Sequence, residues 1–195
     1  MRLVQPPVWV DYTAADPTAQ QAFYSAVLDW DFPDQHPDAG GWRPAMVGED
    51  FAAGMSPRPP GTEYSYWTVF FGTTRIEAAV ARATELGATE ALAPMPVVID
   101  GTLMTTLAVM IDPTGAAFGL AQQAANPGIT HHGHGSAGWY ELASHDVAAA
   151  REFYRALLEV DLQPVPEVAP MDYAMLVGPT GAVAGRGGCG DAPRG

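Results

Sequence analysis

Val8-Trp9-Val10-Asp11-Tyr12-Thr13-Ala14-Ala15-Asp16-Pro17-Thr18-Ala19-Gln20-Gln21-Ala22-Phe23-Tyr24-Ser25-Ala26-Val27-Leu28 decides the fold, because the chain writes it twice. Trp9, Asp11, Asp16, Ala19, Phe23, Tyr24, Ala26 and Leu28 recur as Trp139, Glu141, Asp146, Ala149, Phe153, Tyr154, Ala156 and Leu158, at a constant offset of 130 residues. Val47-Gly48 recurs as Val177-Gly178 at the same offset. A spacing held over that span marks a duplicated supersecondary unit rather than one coincident helix.

A weaker third copy lies between the two. Tyr66-Trp67-Thr68-Val69-Phe70-Phe71 leads into Thr74, so Trp67 precedes Thr74 by the seven residues that separate Trp9 from Asp16. The chain therefore divides into modules near 5–58, 62–124 and 136–187. Each opens on alternating residues of high strand propensity, which suit a pleated surface with two different faces. A helix follows: Asp16 is placed to accept from first-turn N–H groups and Pro17 to occupy the first helical position, with Ala19, Ala22, Phe23, Ala26 and Val27 at helical spacing. Thr74 and Glu77 form a capping-box pattern, and Gly87 stops the second helix. The turn sequences Gly48-Glu49-Asp50, Asp112-Pro113-Thr114-Gly115 and Gly178-Pro179-Thr180-Gly181 then separate short apolar runs, as tight connections between antiparallel strands require. Each module reads as β-α-β-β-β, and the class as α+β.

Nearly half the residues are hydrophobic (48%), enough for a packed core. Nine arginines and no lysine stand against 22 acidic residues, a net charge of −13, and the arginines are scattered, which argues against nucleic acid as a partner. No apolar run reaches the length of a membrane span and Pro6, Pro7 and Asp11 interrupt any secretory leader, so no membrane partner is expected and a cytoplasmic location is the default. Cys189 is alone and reads as incidental.

The pattern Trp-x-Asp/Glu-x-x-x-x-Asp, then Phe-Tyr, then Leu, with the closing Asp112-Pro113-Thr114-Gly115, resembles the vicinal oxygen chelate superfamily: glyoxalases, extradiol dioxygenases, fosfomycin-resistance enzymes and bleomycin-resistance binding proteins. The resemblance extends over almost the whole chain and is nearest to the tandem glyoxalase-like subgroup. It implies that two modules pair into a cupped mixed sheet with helices outside, a cup that holds a divalent metal or an organic ligand. Metal-binding members carry a His or Gln seven residues before the helix-capping residue of each module and a Glu near the end of the last strand. Those positions here are Trp9, Trp67 and Gly119, none of which ligates a divalent metal. No metal and no cofactor are expected.

Two indoles in place of ligands suggest flat apolar walls for a planar molecule, the alternative being that they only fill the cup. Strand alternation puts Asp11 on the face of Trp9, where an apolar setting would raise its pKa and make it a candidate general base or counter-charge; Glu141 is its counterpart in the third module. In the run Leu103 to Ile111, the aliphatic parity is assigned to the helices and Met104, Thr106, Ala108 and Met110 to the cup. Phe71 shares the face of Trp67. The expected ligand-binding set is thus Trp9, Asp11, Trp67, Phe71, Met104 and Met110, with no catalytic residue assigned.

His131, His132 and His134 lie in a Gly- and Pro-containing stretch, 125–136, read as a linker rather than a metal cluster; Pro57 to Gly61 joins the first two modules. Residues 1–124 make a complete two-module domain and 137–195 a third, unpaired module. A lone module would expose an apolar face and a strand edge, so either a fourth is missing or the chain self-associates. The function these features favour is sequestration or recognition of a small apolar or aromatic molecule, such as an antibiotic or other secondary metabolite. The rival is a lyase, isomerase or dioxygenase using a divalent metal or Asp11 as general base.

Overall fold

Strand β1 (Val4–Ala14) sits inside a seven-stranded sheet, flanked by a strand from each of the first two modules. A computed structural model describes residues 2–164, 174–178 and 181–182; Cys189 lies outside them. The first module supplies β1, helix α1 (Pro17–Leu28), β2 (Arg43–Val47) and β3 (Asp50–Pro57), with an isolated bridge from Asp31 to Met46 where a further strand was expected. The second supplies β4 (Tyr66–Thr73), α2 (Ile76–Glu85), β5 (Thr89–Ile99), β6 (Thr102–Ile111) and β7 (Ala117–Gln123). The order is β2-β3-β1-β4-β7-β6-β5. Within each module the first strand runs parallel to the last, and the modules meet where β1 and β4 pair antiparallel.

That pairing brings Trp9 opposite Phe70, Asp11 opposite Thr68 and Tyr12 opposite Trp67. Residues directly opposite share a face. Trp9, Phe70, Thr68 and Asp11 therefore point one way, into the cup, while Tyr12 and Trp67 point the other way, toward α1. The sheet is curled. Its edge strands β2 and β5 stand at opposite ends of the order, yet the short 3-10 turn Pro37–Ala39, just ahead of β2, lies against β5. His36 Nε2 there meets Asp100 Oδ1 of the β5–β6 turn at 3.1 Å.

Helices α1 and α3 (Val147–Leu158) start as the sequence indicates: Asp16 accepts from the Ala19 N–H at 3.1 Å and Asp146 from the Ala149 N–H at 3.0 Å. Helix α2 does not. Its N-cap is Arg75, without a side-chain cap; Thr73 Oγ1 takes the Arg75 N–H and Gln122 Oε1 of β7 takes the Ile76 N–H. The expected Thr74–Glu77 box is replaced by a tertiary bond, and the helix begins one residue later. Gly87, at φ +99°, ends it as expected.

Strands β1 and β3 pair only from Asp11 to Ala14, so the first half of β1 splays away from β3. The stretch expected to be a plain linker fills that gap. The Ile129 N–H donates to the Val8 carbonyl, the Thr130 and His131 N–H groups donate to the Phe51 carbonyl, and Thr130 Oγ1 accepts the Phe51 N–H at 2.9 Å. Ile129 then packs into the clusters on both faces. The histidines do not converge: His131 Nε2 is 2.6 Å from the His134 carbonyl, while His134 Nε2 lies 3.8 Å from Asp29.

The third module departs from its repeat. Trp139 to Glu141 form no strand, and the module contributes α3 with a small sheet of β8 (Asp161–Pro164), β9 (Ala174–Gly178) and β10 (Gly181–Ala182). Helix α3 is packed onto the second module: Phe153, Tyr154, Leu157 and Leu158 are buried with Phe71, Ile76, Met110 and Phe118. Buried within that contact, the Tyr154 hydroxyl donates to Asp112 Oδ2 at 3.0 Å, while Asp112 Oδ1 accepts from Thr114 and Ala116. Burial and the Asp112 charge push the Tyr154 pKa up. Tyr154→Phe strips Asp112 Oδ2 of its donor, and the expected loss is about 1–3 kcal/mol in urea unfolding; an unchanged midpoint would mean that α3 is held by apolar contact alone.

Candidate functional site

Asp11 is the one carboxylate on the cup face of the two central strands, and its backbone position is set by the β1–β3 and β1–β4 ladders. Its Oδ2 accepts from Trp42 Nε1 at 2.7 Å and its Oδ1 from Ser56 Oγ at 2.8 Å; the Trp9 indole nitrogen lies over the same Gly54 gap. Burial raises its pKa to about 6, and the Ser56 and Trp42 bonds pull back toward the ordinary carboxylate value without overcoming desolvation. Trp9, Trp42 and Phe51 surround it, with centroids 6.2 Å apart for Trp9–Trp42 and for Trp9–Phe51. Gly54 makes this possible, since a Cβ there would strike Asp11 and the indole nitrogen of Trp42.

Trp42 ends the segment 32–42, which runs from the Asp31 bridge past β5 and back to β2. Asp11 clamps one end of this strap while His36 fastens its middle to the opposite edge. Trp42 and Ser56 were not picked out from the sequence: Trp42 sits after Gly40-Gly41 in a loop without periodicity, and Ser56 in a short strand.

The other half of the cup is open. Leu92 pairs with Val109, Met95 with Leu107 and Val98 with Leu103, so all six share a face, and Leu107 and Val109 join the Trp9–Phe70 cluster. Leu92, Met95, Val98 and Leu103 are each more than a third exposed. An apolar trough on β5 and β6 thus leads to the aromatic wall around Asp11.

Four expected site residues lie elsewhere. Trp67 lies behind the sheet, tilted against Tyr12 and edge-to-face with Tyr24 and Trp30, with centroids at 4.9, 5.8 and 6.2 Å. Phe71 and Met110 are buried with α2 and α3, and Met104, of the same parity as Met110 and Ala108, turns away from the cup. The cup takes Leu107 and Val109, the parity assigned to the helices from sequence. For Trp67 the error is one residue: counting seven back from the observed cap, Arg75, reaches Thr68, and a single step along a strand changes face. Glu141, the proposed counterpart of Asp11, lies outside any strand of the cup.

A divalent metal does not fit this donor set. The positions to which the resemblance assigns metal ligands become Trp9, Thr68 and Gly119 once the register is corrected. A Cβ on Gly119 would run into the Phe70 ring, so no longer side chain fits there either. The carboxylate of this set, Asp11, already accepts hydrogen bonds from Trp42 and Ser56.

Fold and site together define a class. Residues 8–121 match the glyoxalase-like domain family, and the chain belongs to it. Among its relatives are the anthracycline biosynthesis proteins DauV of Streptomyces sp. (strain C5), 31% identical over 78% of this chain and 60% of that protein, and DnrV of Streptomyces peucetius, 30% identical over the same shares. CFP32 of Mycobacterium bovis is 27% identical over 96% of this chain and 71% of its own length. The chain thus spans about 60% of the length of the anthracycline biosynthesis proteins it matches. The fold is shared with the Mn(II)-bound glyoxalase of Novosphingobium aromaticivorans (TM-score 0.63, 13% identity, 84% of this chain and 55% of that one). It is shared too with a 4-hydroxymandelate synthase mutant from Streptomyces coelicolor (TM-score 0.60, 16% identity, 93% and 61%). Among the described residues no helix is long and apolar enough to cross a membrane.

Two outcomes test the site. Gly119→Ala is expected to cost about 1–3 kcal/mol in chemical denaturation, because the Phe70 ring must leave its place; a neutral result would show that the ring moves freely. Asp11 holds its proton more tightly folded than unfolded, so its contribution to stability is complete below about pH 3.8 and lost as pH rises through about 6, a change on the order of 3 kcal/mol. Asp11→Asn keeps an acceptor for Trp42 and turns a donor to Ser56, so the variant should gain on the native protein between pH 4 and 7. Parallel melting curves across that interval would refute the buried titration.

Proposed function

We propose that this chain is a metal-free binding protein for a planar, mostly apolar aromatic metabolite, which it sequesters or presents in the cup. The observation that carries the reading is the joining of an open aliphatic trough, Leu92, Met95, Val98 and Leu103, to the preorganised Trp9–Trp42–Phe51 wall around one buried carboxylate. Aromatic walls hold a flat ring by area and by quadrupole, and the clamp on Trp42 limits the ordering entropy lost on binding. Asp11 at the end of the trough supplies one polar group to orient a hydroxyl or a cation. The names of DauV and DnrV favour a fused-ring ligand such as an anthracycline or its precursor, and an antibiotic-binding role follows the same chemistry.

A second reading rests on the Asp11 pKa of about 6. A buried carboxylate that titrates near neutrality is matched to moving a proton on a bound substrate, as an isomerase or lyase of this superfamily would require without metal. Both readings place the ligand against Trp42. Titration with 1,8-dihydroxyanthraquinone should quench tryptophan emission, and Trp42→Ala should weaken binding about tenfold or more, a loss of about 1.4 kcal/mol or more. Asp11→Asn separates the two: retained affinity without any turnover in either protein favours binding alone, whereas turnover abolished by the substitution favours the enzyme. Affinity unaltered by Trp42→Ala would remove the ligand from the cup.

A further inference from the structure

The residues displaced from the cup by the face reversal do not all end in solid core. Trp67 remains 41% exposed, and Tyr64, Trp139 and Leu142 are exposed as well. Trp67 and Leu142 open on one cleft of about 600 Å³ behind the sheet, on the opposite face from Asp11. One wall is the helix-side face of β4, with Trp67, Val69 and Phe71; the other is built from Tyr140, Leu142 and Leu176 of the third module.

We propose that this cleft is a second small-molecule site, taking an uncharged planar aromatic that carries hydroxyl or carbonyl groups at its edge. The volume is that of a drug-sized ligand pocket, and the lining is chiefly aromatic and aliphatic. Trp67 is preorganised: Tyr12, Tyr24 and Trp30 brace the indole from behind and leave its remaining surface to the cleft. Tyr64, Tyr66 and Tyr140 also line the cleft, and such side chains, apolar in the ring and polar at the tip, suit a ligand with polar edges and an apolar face. Charge sets the class further. Glu141 is the only carboxyl side chain among the described lining residues, none of them is basic, and the protein carries a net charge of −13, so carboxylates and phosphates are disfavoured.

The cleft is formed chiefly by the second and third modules, with Pro7 of the first also in its lining, whereas the cup belongs to the first two. The two sites share no side chain and are separated by the thickness of the sheet, so occupancy of one does not require the other. This inference does not rest on the cup reading.

The test uses the full chain labelled with 5-fluorotryptophan, whose five resonances are assigned by single Trp→Phe substitutions and followed by fluorine NMR during titration with 2-naphthol. The expected result is a saturable shift of the Trp67 resonance that persists in Trp42→Ala and whose midpoint rises about tenfold or more in Leu142→Arg, which sets a charge and a long chain at a half-exposed position of the wall. Shifts confined to Trp9 and Trp42 would overturn the second site while leaving the cup reading intact. A Trp67 shift without movement of Trp9 or Trp42 would support the second site and count against the cup. Absence of any shift at Trp67, or one indifferent to Leu142→Arg, overturns the proposal.

Discussion

The antiparallel register of β1 on β4 is the constraint from which the rest follows. By setting Trp9 against Phe70 and Asp11 against Thr68, it fuses two modules into one sheet and fixes which of the many aromatic side chains face the cup. A slip of β1 by one residue would exchange Trp9 and Asp11 for Val10 and Tyr12, placing a carboxylate beneath the helices. Packing resists the slip on both sides. Val10 and Val69 meet Trp30 and the alanines of β2 and β3 on one face, and Trp9 and Phe70 meet Ala121 on the other. The two glycines of the closing strands, Gly54 and Gly119, give the large cup residues room.

Curling this sheet creates a problem that the strap solves. A twisted sheet with its edges near each other needs something to hold them there, and the chain between α1 and β2 bridges from one edge to the other. Its hold is polar at both contacts, Trp42 on Asp11 and His36 on Asp100. Because the Asp11 contact is buried and carries a charge at neutral pH, the group that orients the cup is also the group whose desolvation opposes folding. Such a position, where local rules are broken at a cost, is where function is expected to reside.

How much of this was legible depended on whether the signal was local. Helices α1 and α3 were readable because Asp16 and Asp146 cap them by contacts three residues away. The β-α-β-β-β pattern was readable because repetition and turn chemistry do not depend on tertiary partners. Helix α2 starts one residue later than Thr74 implies, because Gln122, far along the chain, takes the Ile76 N–H and Arg75 becomes the cap. That single step sent Trp67 to the wrong face. In β6 both parities are apolar, so alternation alone could not tell them apart; what decides is that Ala108 and Met110 fit beneath α2 while Leu107 and Val109 suit an open trough. Trp139 and Glu141 repeat the indole and the carboxylate of Trp9 and Asp11 without repeating their structure, since a strand needs a neighbour to pair with and the letters do not supply one. Asp11, by contrast, was placed correctly by parity with Trp9, though its partners Trp42 and Ser56 were invisible.

The wedge at Ile129 and Thr130 bears on how such a protein could be recombined. Composition marks 125–136 as a hinge between units, the natural place for a shuffling event to cut. Physically it is the missing rung of the first unit: without it the Val8 carbonyl and both polar groups of the Phe51 peptide lose their protein partners, and the split between β1 and β3 stands open to solvent. A module exchange at that seam would carry away part of the host's own sheet. The boundary that heredity could use without damage therefore lies several residues further on, beyond the Gly135 carbonyl that receives the Trp30 indole N–H at 2.7 Å, and not where the glycines and histidines begin.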